Sequence, residues 1–382
     1  MEPATGAVCQ SVRAGGDHYL GTHREANLRF FPEQNIPGLT GLRGVAALWV
    51  VFFHMSYNTP IPVIRLGYMG VDVFFILSGF VLSHVYARRI TGYQSFLRFL
   101  QARIARIYPL HFVTLCALGL IVLSAPEYFM RYPLAHERWG ISSFLASAFL
   151  VQNWAHWLPT CWNTPAWSLS AEVFAYLTFP IFLGFTQRWR GVATPLILAF
   201  GSLGFFYVAM ALTANGNVNV TGTPGMLRMV CEFACGCLLY RAIWNGLPTL
   251  PSAATLIAGA LLLVAFSSER ADFLALPAFG LIVLLTAQGR GLIASCLSFA
   301  PIVFLGEISY SIYLVHWILL QLSNRALSGT TLNGSEKIIW VVGFIGIVLL
   351  VALCTFQLIE QPARRWGRRL SLVQPQPKAT IT

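Results

Sequence analysis

The chain has 382 residues, 56% of them hydrophobic and only 10% charged, where an ordinary soluble domain carries about 25% charged residues. That composition, with apolar runs near twenty residues recurring along the chain, excludes a soluble multidomain protein and places it in the multi-pass membrane class. The formal net charge of +11 is then a topology signal before it is a nucleic-acid footprint, because Lys and Arg gather on cytoplasmic loops; no nucleic-acid partner is expected.

Residues 1–38 are polar and mixed, without the apolar core of a signal peptide. They read as a cytoplasmic arm. A membrane domain over 39–360 follows, then a basic cytoplasmic tail over 361–382. Ten apolar segments are expected to be transmembrane helices in an all-α fold: roughly 41–57, 66–86, 108–125, 167–187, 192–214, 226–245, 250–267, 273–288, 301–321 and 338–358. Alternation from an inside N-terminus puts eighteen of the 25 basic residues on the cytoplasmic side, an asymmetry that supports both termini inside.

Two stretches resist simple spanning. Residues 96–107 (FLRFLQARIARI) place Arg among apolar residues at helical spacing, the pattern of a basic amphipathic helix at the cytoplasmic surface. Residues 141–166 begin apolar and turn rich in Trp, Asn and Pro. They are expected to form an outer-face or re-entrant element, since irregular backbone at membrane depth must be buried in protein or line a cavity. The eight Cys are scattered and mostly lie in apolar runs, where Cys behaves as a small hydrophobe. Cys231, Cys235 and Cys237 share one segment but have no nearby His, so no metal site is expected.

The segment GLRGVAALWVVFFH over 41–54 carries Arg43 and His54 on an otherwise apolar run. Eleven positions on an α-helix are about three turns plus roughly 20°, so both side chains share one face, separated by roughly 16 Å of rise. Further ionisable residues fall inside apolar segments: Asp72, Glu172, Glu232, Glu307 and His316. Each alone fits a helix–helix hydrogen bond. Together they favour a polar chamber or an ion path, because such groups are costly in a membrane and face a bundle interior.

With these residues in view, the chain resembles the membrane acyltransferase-3 family, integral-membrane O-acyltransferases of surface glycans and exported small molecules. The resemblance runs from IPGLTGLRGVAAL to IEQPARR and rests on LRGVAALWVVFFH, GVDVFFILSGF, RIARIYPLH, WSLSAEVFAYLTFP and SYSIYLVHW, in the family's order. Two positions depart from it. Thr40 stands where many relatives have Asp, and Val173 follows Glu172 where many have a second Glu.

The resemblance implies a multi-pass protein of the bacterial cytoplasmic (inner) membrane. It would take an acyl group, most simply acetyl, from cytoplasmic acyl-CoA and deliver it to an acceptor hydroxyl at the outer face. It also implies that Arg43 and His54 are essential, and that Arg103 and Arg106, in the basic motif before Tyr108-Pro109, serve the donor. Arg98 is a further donor candidate, though the positive-inside rule alone explains it. Guanidinium groups suit the phosphates of CoA, which they bind bidentately.

In such chemistry His54 would take the hydroxyl proton. A carboxylate on its other ring nitrogen, Asp72 or Glu172, would fix the tautomer. A covalent acyl-enzyme on a Ser such as Ser78, Ser168 or Ser170 is the second route. The acceptor is a glycan, or alternatively a small molecule or lipo-oligosaccharide. From a different class, a transporter could use the same polar path, but no internal repeat of the kind transporters show is visible. No G-x-S-x-G elbow and no P-loop occurs.

Overall fold

The computed structural model describes residues 36–55, 61–131, 135–156, 162–268 and 271–370. Most of the N-terminal arm and the tail beyond residue 370 lie outside them. Among the described residues every regular element is helical and there is no strand. The first half of the chain forms α1 (Pro37–Met55), α2 (Gly70–Tyr86), α3 (Tyr93–Ser124), the short α4 (Ile141–Ala148), α5 (Trp167–Thr186), α6 (Ala193–Thr213) and α7 (Gly222–Trp244). The second half forms α8 (Ser252–Ser267), α9 (Ala275–Ala287), α10 (Gly291–Leu297), α11 (Ala300–Glu307), α12 (Ser309–Ala326), α13 (Gly334–Thr355) and α14 (Gln361–Leu370).

Six helical stretches are long and apolar enough to cross a bilayer, and up to eight if each of two bent pairs counts as one span. The sequence suggested ten, and the difference has three causes. The α7 helix is long enough, but Arg228, Glu232 and Arg241 dilute its apolar character. The α8 helix has only 16 residues. The segment expected over 273–288 ends where α9 turns into α10 at 78°, and the one over 301–321 is broken where α11 turns into α12 at 64°.

The basic stretch over 96–107 is not a separate surface helix. It continues through Pro109 into the following apolar segment as the single 32-residue α3. An interior Pro removes one backbone hydrogen bond, and the packed turns on either side of Pro109 carry the helix across. Among the described residues of the stretch 141–166 there is no helix of spanning length. The eight-residue α4 gives way to irregular backbone, with Leu150 at φ 57°. Its buried Gln152 donates to the Ala166 carbonyl at 3.0 Å and its Trp154 indole to the Ser170 carbonyl at 3.0 Å. Irregular backbone inside a membrane protein requires such internal partners.

The stretch ending in α2 sits at the centre: 83% of its apolar window is buried, against 22% for α6 and 17% for α13, which form the periphery. Close approach at the centre depends on small residues. A Cβ on Gly79 would strike the Phe233 carbonyl of α7, and one on Gly236 the Ile76 carbonyl of α2. A Cβ on Gly306 would likewise strike the Thr40 carbonyl, where α11 crosses α1. Lipid gives helices no hydrophobic reason to associate, so backbone contact of this kind supplies the packing energy.

Candidate active site

Residues from α1, α2, α3, α5 and α12 enclose a cavity of about 100 Å³. Three guanidinium groups reach it: Arg43 from α1, and Arg103 and Arg106 from α3. The last two are three residues apart on α3 and therefore share a face. Glu172, on the second turn of α5, lines the same cavity. Its Oε1 accepts from Ser78 Oγ at 3.2 Å and from the Tyr176 hydroxyl at 2.5 Å. The Arg103 guanidinium carbon lies 5.4 Å from the centre of the Tyr176 ring. Arg103 Nε is buried with no hydrogen-bond acceptor, an orphaned donor of the kind an incoming anion satisfies. Arg98 is exposed and does not line the cavity.

A second polar cluster lies further along α1. His54 Nδ1 is 3.0 Å from the Val50 carbonyl oxygen, one turn back, and 3.3 Å from His316 Nε2 on α12. A carbonyl can only accept, so Nδ1 of neutral His54 carries the proton and its Nε2 keeps the free lone pair. The buried His316 is set the same way: its Nδ1 is 3.2 Å from the Ile312 carbonyl, which leaves its Nε2 as the acceptor facing His54. Trp317 packs edge-on against His54, with centroids 5.3 Å apart. The Arg138 guanidinium, which donates to Thr164 Oγ1 at 2.5 Å, lies 6.0 Å from the Trp317 ring.

Tyr313 joins the two clusters. It lines the guanidinium cavity, its hydroxyl is 2.8 Å from Ser168 Oγ, and its ring centroid is 6.0 Å from that of His316. Arg43 and His54 thus belong to two neighbouring polar clusters along α1, as their shared helix face requires, with Tyr313 between them.

Asp72 is elsewhere. Both of its carboxylate oxygens receive hydrogen bonds from Arg228 of α7, the Nε bond measuring 2.8 Å. Glu232 lies 3.6 Å from the same Nε. Nearby, Tyr68 donates to Asp272 at 2.6 Å. Asp72, Arg228 and Glu232 are almost fully buried, and this network ties the start of α2 to α7.

The structure therefore brings Arg43, Arg103, Arg106 and Glu172 to one cavity, and places His54 in a second cluster that reaches it through His316 and Tyr313. Neither Asp72 nor Glu172 bonds the His54 ring; the Val50 carbonyl and His316 do. On the sequence alone a carboxylate is expected there, His316 is one of several ionisable groups that favour a polar chamber, and Tyr313 is not singled out. The SYSIYLVHW motif was their signal. Among the described residues no group of three His, Cys, Asp or Glu is arranged to hold a metal.

Residues 36–357 match a family described as an acyltransferase domain. Among curated proteins the chain is 31% identical to the acyltransferase MdmB of Streptomyces mycarofaciens, over 77% of this chain and 81% of that one. It is 25% identical to the peptidoglycan O-acetyltransferase OatA of Listeria monocytogenes, over 88% of this chain and 57% of the relative. With the O-acetyltransferase OatA of a Staphylococcus aureus strain it shares 22% identity, over 92% of this chain and 61% of the relative. The chain thus spans about three-fifths of the length of these two OatA proteins. No solved structure matches it with significance.

Proposed function

The chain belongs to the acyltransferase-domain family matched over residues 36–357, and from that premise we propose that it is a membrane O-acyltransferase moving an acyl group, most simply acetyl, from cytoplasmic acyl-CoA to a hydroxyl of a surface or exported glycan. The observation that carries this reading is the pair of clusters along α1: a buried guanidinium cavity suited to phosphate and thioester, and next to it a histidine held as the Nδ1–H tautomer with Nε2 free.

The chemistry follows from that tautomer. His54 Nε2 accepts the acceptor's hydroxyl proton as the oxygen attacks the thioester carbonyl. The C–S bond then breaks, and the departing thiolate takes the proton from the imidazolium. His316 accepts from Nδ1–H and so keeps the ring oriented; a positioned base of this kind contributes roughly 10²–10⁴-fold. Arg103, Arg106 and Arg43 would bind donor charge. Glu172 fixes Tyr176 beneath Arg103 and limits the net positive charge of the cavity.

A glycan acceptor is favoured because one relative carries the name of a peptidoglycan O-acetyltransferase. The inner-membrane location and the cytoplasmic placement of both termini belong to the same reading.

The test is transfer from radiolabelled acetyl-CoA by purified protein in proteoliposomes, with a glycan fragment as acceptor. Label in the glycan that depends on His54 supports the proposal. Label that crosses the membrane without forming an ester would replace it with a transporter.

A further inference from the structure

The cavity beside Arg103 holds about 100 Å³, well short of the roughly 300 Å³ at which whole small-molecule sites begin. A larger one, of about 320 Å³, lies where the C-terminal ends of α2, α5 and α7 meet. Arg88, Arg190 and Arg241 line it together with Gln187, Tyr240 and Trp244, and no carboxylate does.

Two of the guanidinium groups are tied to the framework. Arg241 donates from Nε to the Trp189 carbonyl at 2.9 Å and from Nη2 to the Gln187 carbonyl at 3.2 Å. The Arg88 guanidinium carbon stands 5.6 Å from the Trp244 ring centre. Arg88 and Arg190 are exposed at the rim.

Helix C-termini attract cations, and Arg241 is accounted for in part by that effect. Three helix ends supply about −0.5 charge each, so three arginines leave a net positive cavity. The tendency of basic residues to collect on one side of a membrane protein explains their number but not their convergence on one concavity. Like charges brought together with no acid among them are the mark of an anion site.

This cavity is also separate from the reaction cavity. Phe179, on α5 between Tyr176 and Leu183, is fully buried and packs edge-on against the buried Phe233 at 5.9 Å. Tyr176 belongs to one cavity and Leu183 to the other.

We propose that the cavity between the ends of α2, α5 and α7 is a second, phosphate-binding site, in which Arg88, Arg190 and Arg241 grip a phosphoryl group and Trp244 offers an aromatic face beside it. The group comes either from a soluble nucleotide-type phosphate, such as the head of the acyl donor, or from the headgroup of an anionic phospholipid. The site stands whichever donor the enzyme uses.

The experiment measures binding to purified full-length protein in two arms: adenosine 3′,5′-bisphosphate added in a neutral sugar detergent, and nanodiscs of phosphatidylglycerol compared with nanodiscs of phosphatidylcholine. At least one arm should show binding or stabilisation that Arg88→Gln with Arg190→Gln weakens by roughly tenfold or more, the scale of a lost charge-assisted contact. Arg325→Gln, an exposed arginine that lines neither cavity, should leave that binding in place. A response to the bisphosphate assigns a soluble source, and one to phosphatidylglycerol alone assigns the lipid. The single exposed substitution Arg190→Gln, checked by gel filtration for folding, repeats the test if the double variant is unstable. No binding in either arm, or binding unchanged in the arginine variants, overturns the proposal.

Discussion

His316 Nε2 lies 3.3 Å from His54 Nδ1, across the contact between α12 and α1. The two imidazoles are 262 positions apart in the chain, and each is oriented by the carbonyl one turn back on its own helix. His316 therefore bonds the proton-bearing nitrogen of His54 and leaves the other with its lone pair; in the proposed reaction it would act through His54 as a positioning residue.

His316→Ala should lower kcat with little change in the KM for the donor, because the guanidinium cavity is untouched. His316→Asn, whose side-chain oxygen can still accept from His54 Nδ1–H, should recover part of the rate. Steady-state kinetics on both variants test this. Equal activity of the wild type and the Ala variant would remove His316 from the site.

His54→Gln should reduce acyl transfer by roughly 10²–10⁴-fold, the usual worth of a positioned general base, while the protein stays folded and inserted. Gln keeps a hydrogen-bonding group but cannot hold a proton in transit at neutral pH. Near-normal turnover would sink the assignment.

Arg103→Ala with Arg106→Ala should raise the Kd for acyl-CoA far more than that for the acceptor. The paired Lys replacement should restore only part of the affinity, since Lys is a point charge without the bidentate fork. Isothermal titration with each substrate separates this from general damage, which would weaken both.

Glu172→Gln keeps an oxygen able to accept from Ser78 and Tyr176, so thermal stability should hold. The rate should fall strongly if the carboxylate charge balances the arginines of the cavity. Full activity with reduced stability would assign Glu172 to packing alone.

Asp72 should show the opposite pattern. Arg228→Met leaves a buried carboxylate without its cation and should cost about 3–5 kcal/mol, read as a lowered unfolding temperature in detergent. Activity per folded molecule should change much less than stability. A variant of normal stability that has lost transfer would move Asp72 and Arg228 into the chemistry.

Much of this protein is local, and so legible in the sequence alone. Hydropathy over a window depends only on neighbours in the chain, so the membrane class and the helical fold follow from composition and run length. The helical period puts Arg43 and His54 on one face, and Arg103 with Arg106 on another, wherever the helices pack. What sits across from each face was decided by tertiary structure, because those partners are remote in sequence. Glu172 meets Ser78 across 94 positions, Asp72 meets Arg228 across 156, and His54 meets His316 across 262. The number of spans was undetermined for the same reason. The apolar run over 301–321 reads straight through Gly306, yet the chain bends there by 64° between α11 and α12. The bend lies where the Gly306 backbone packs against Thr40 of α1, a contact that exists only once the two helices are folded together.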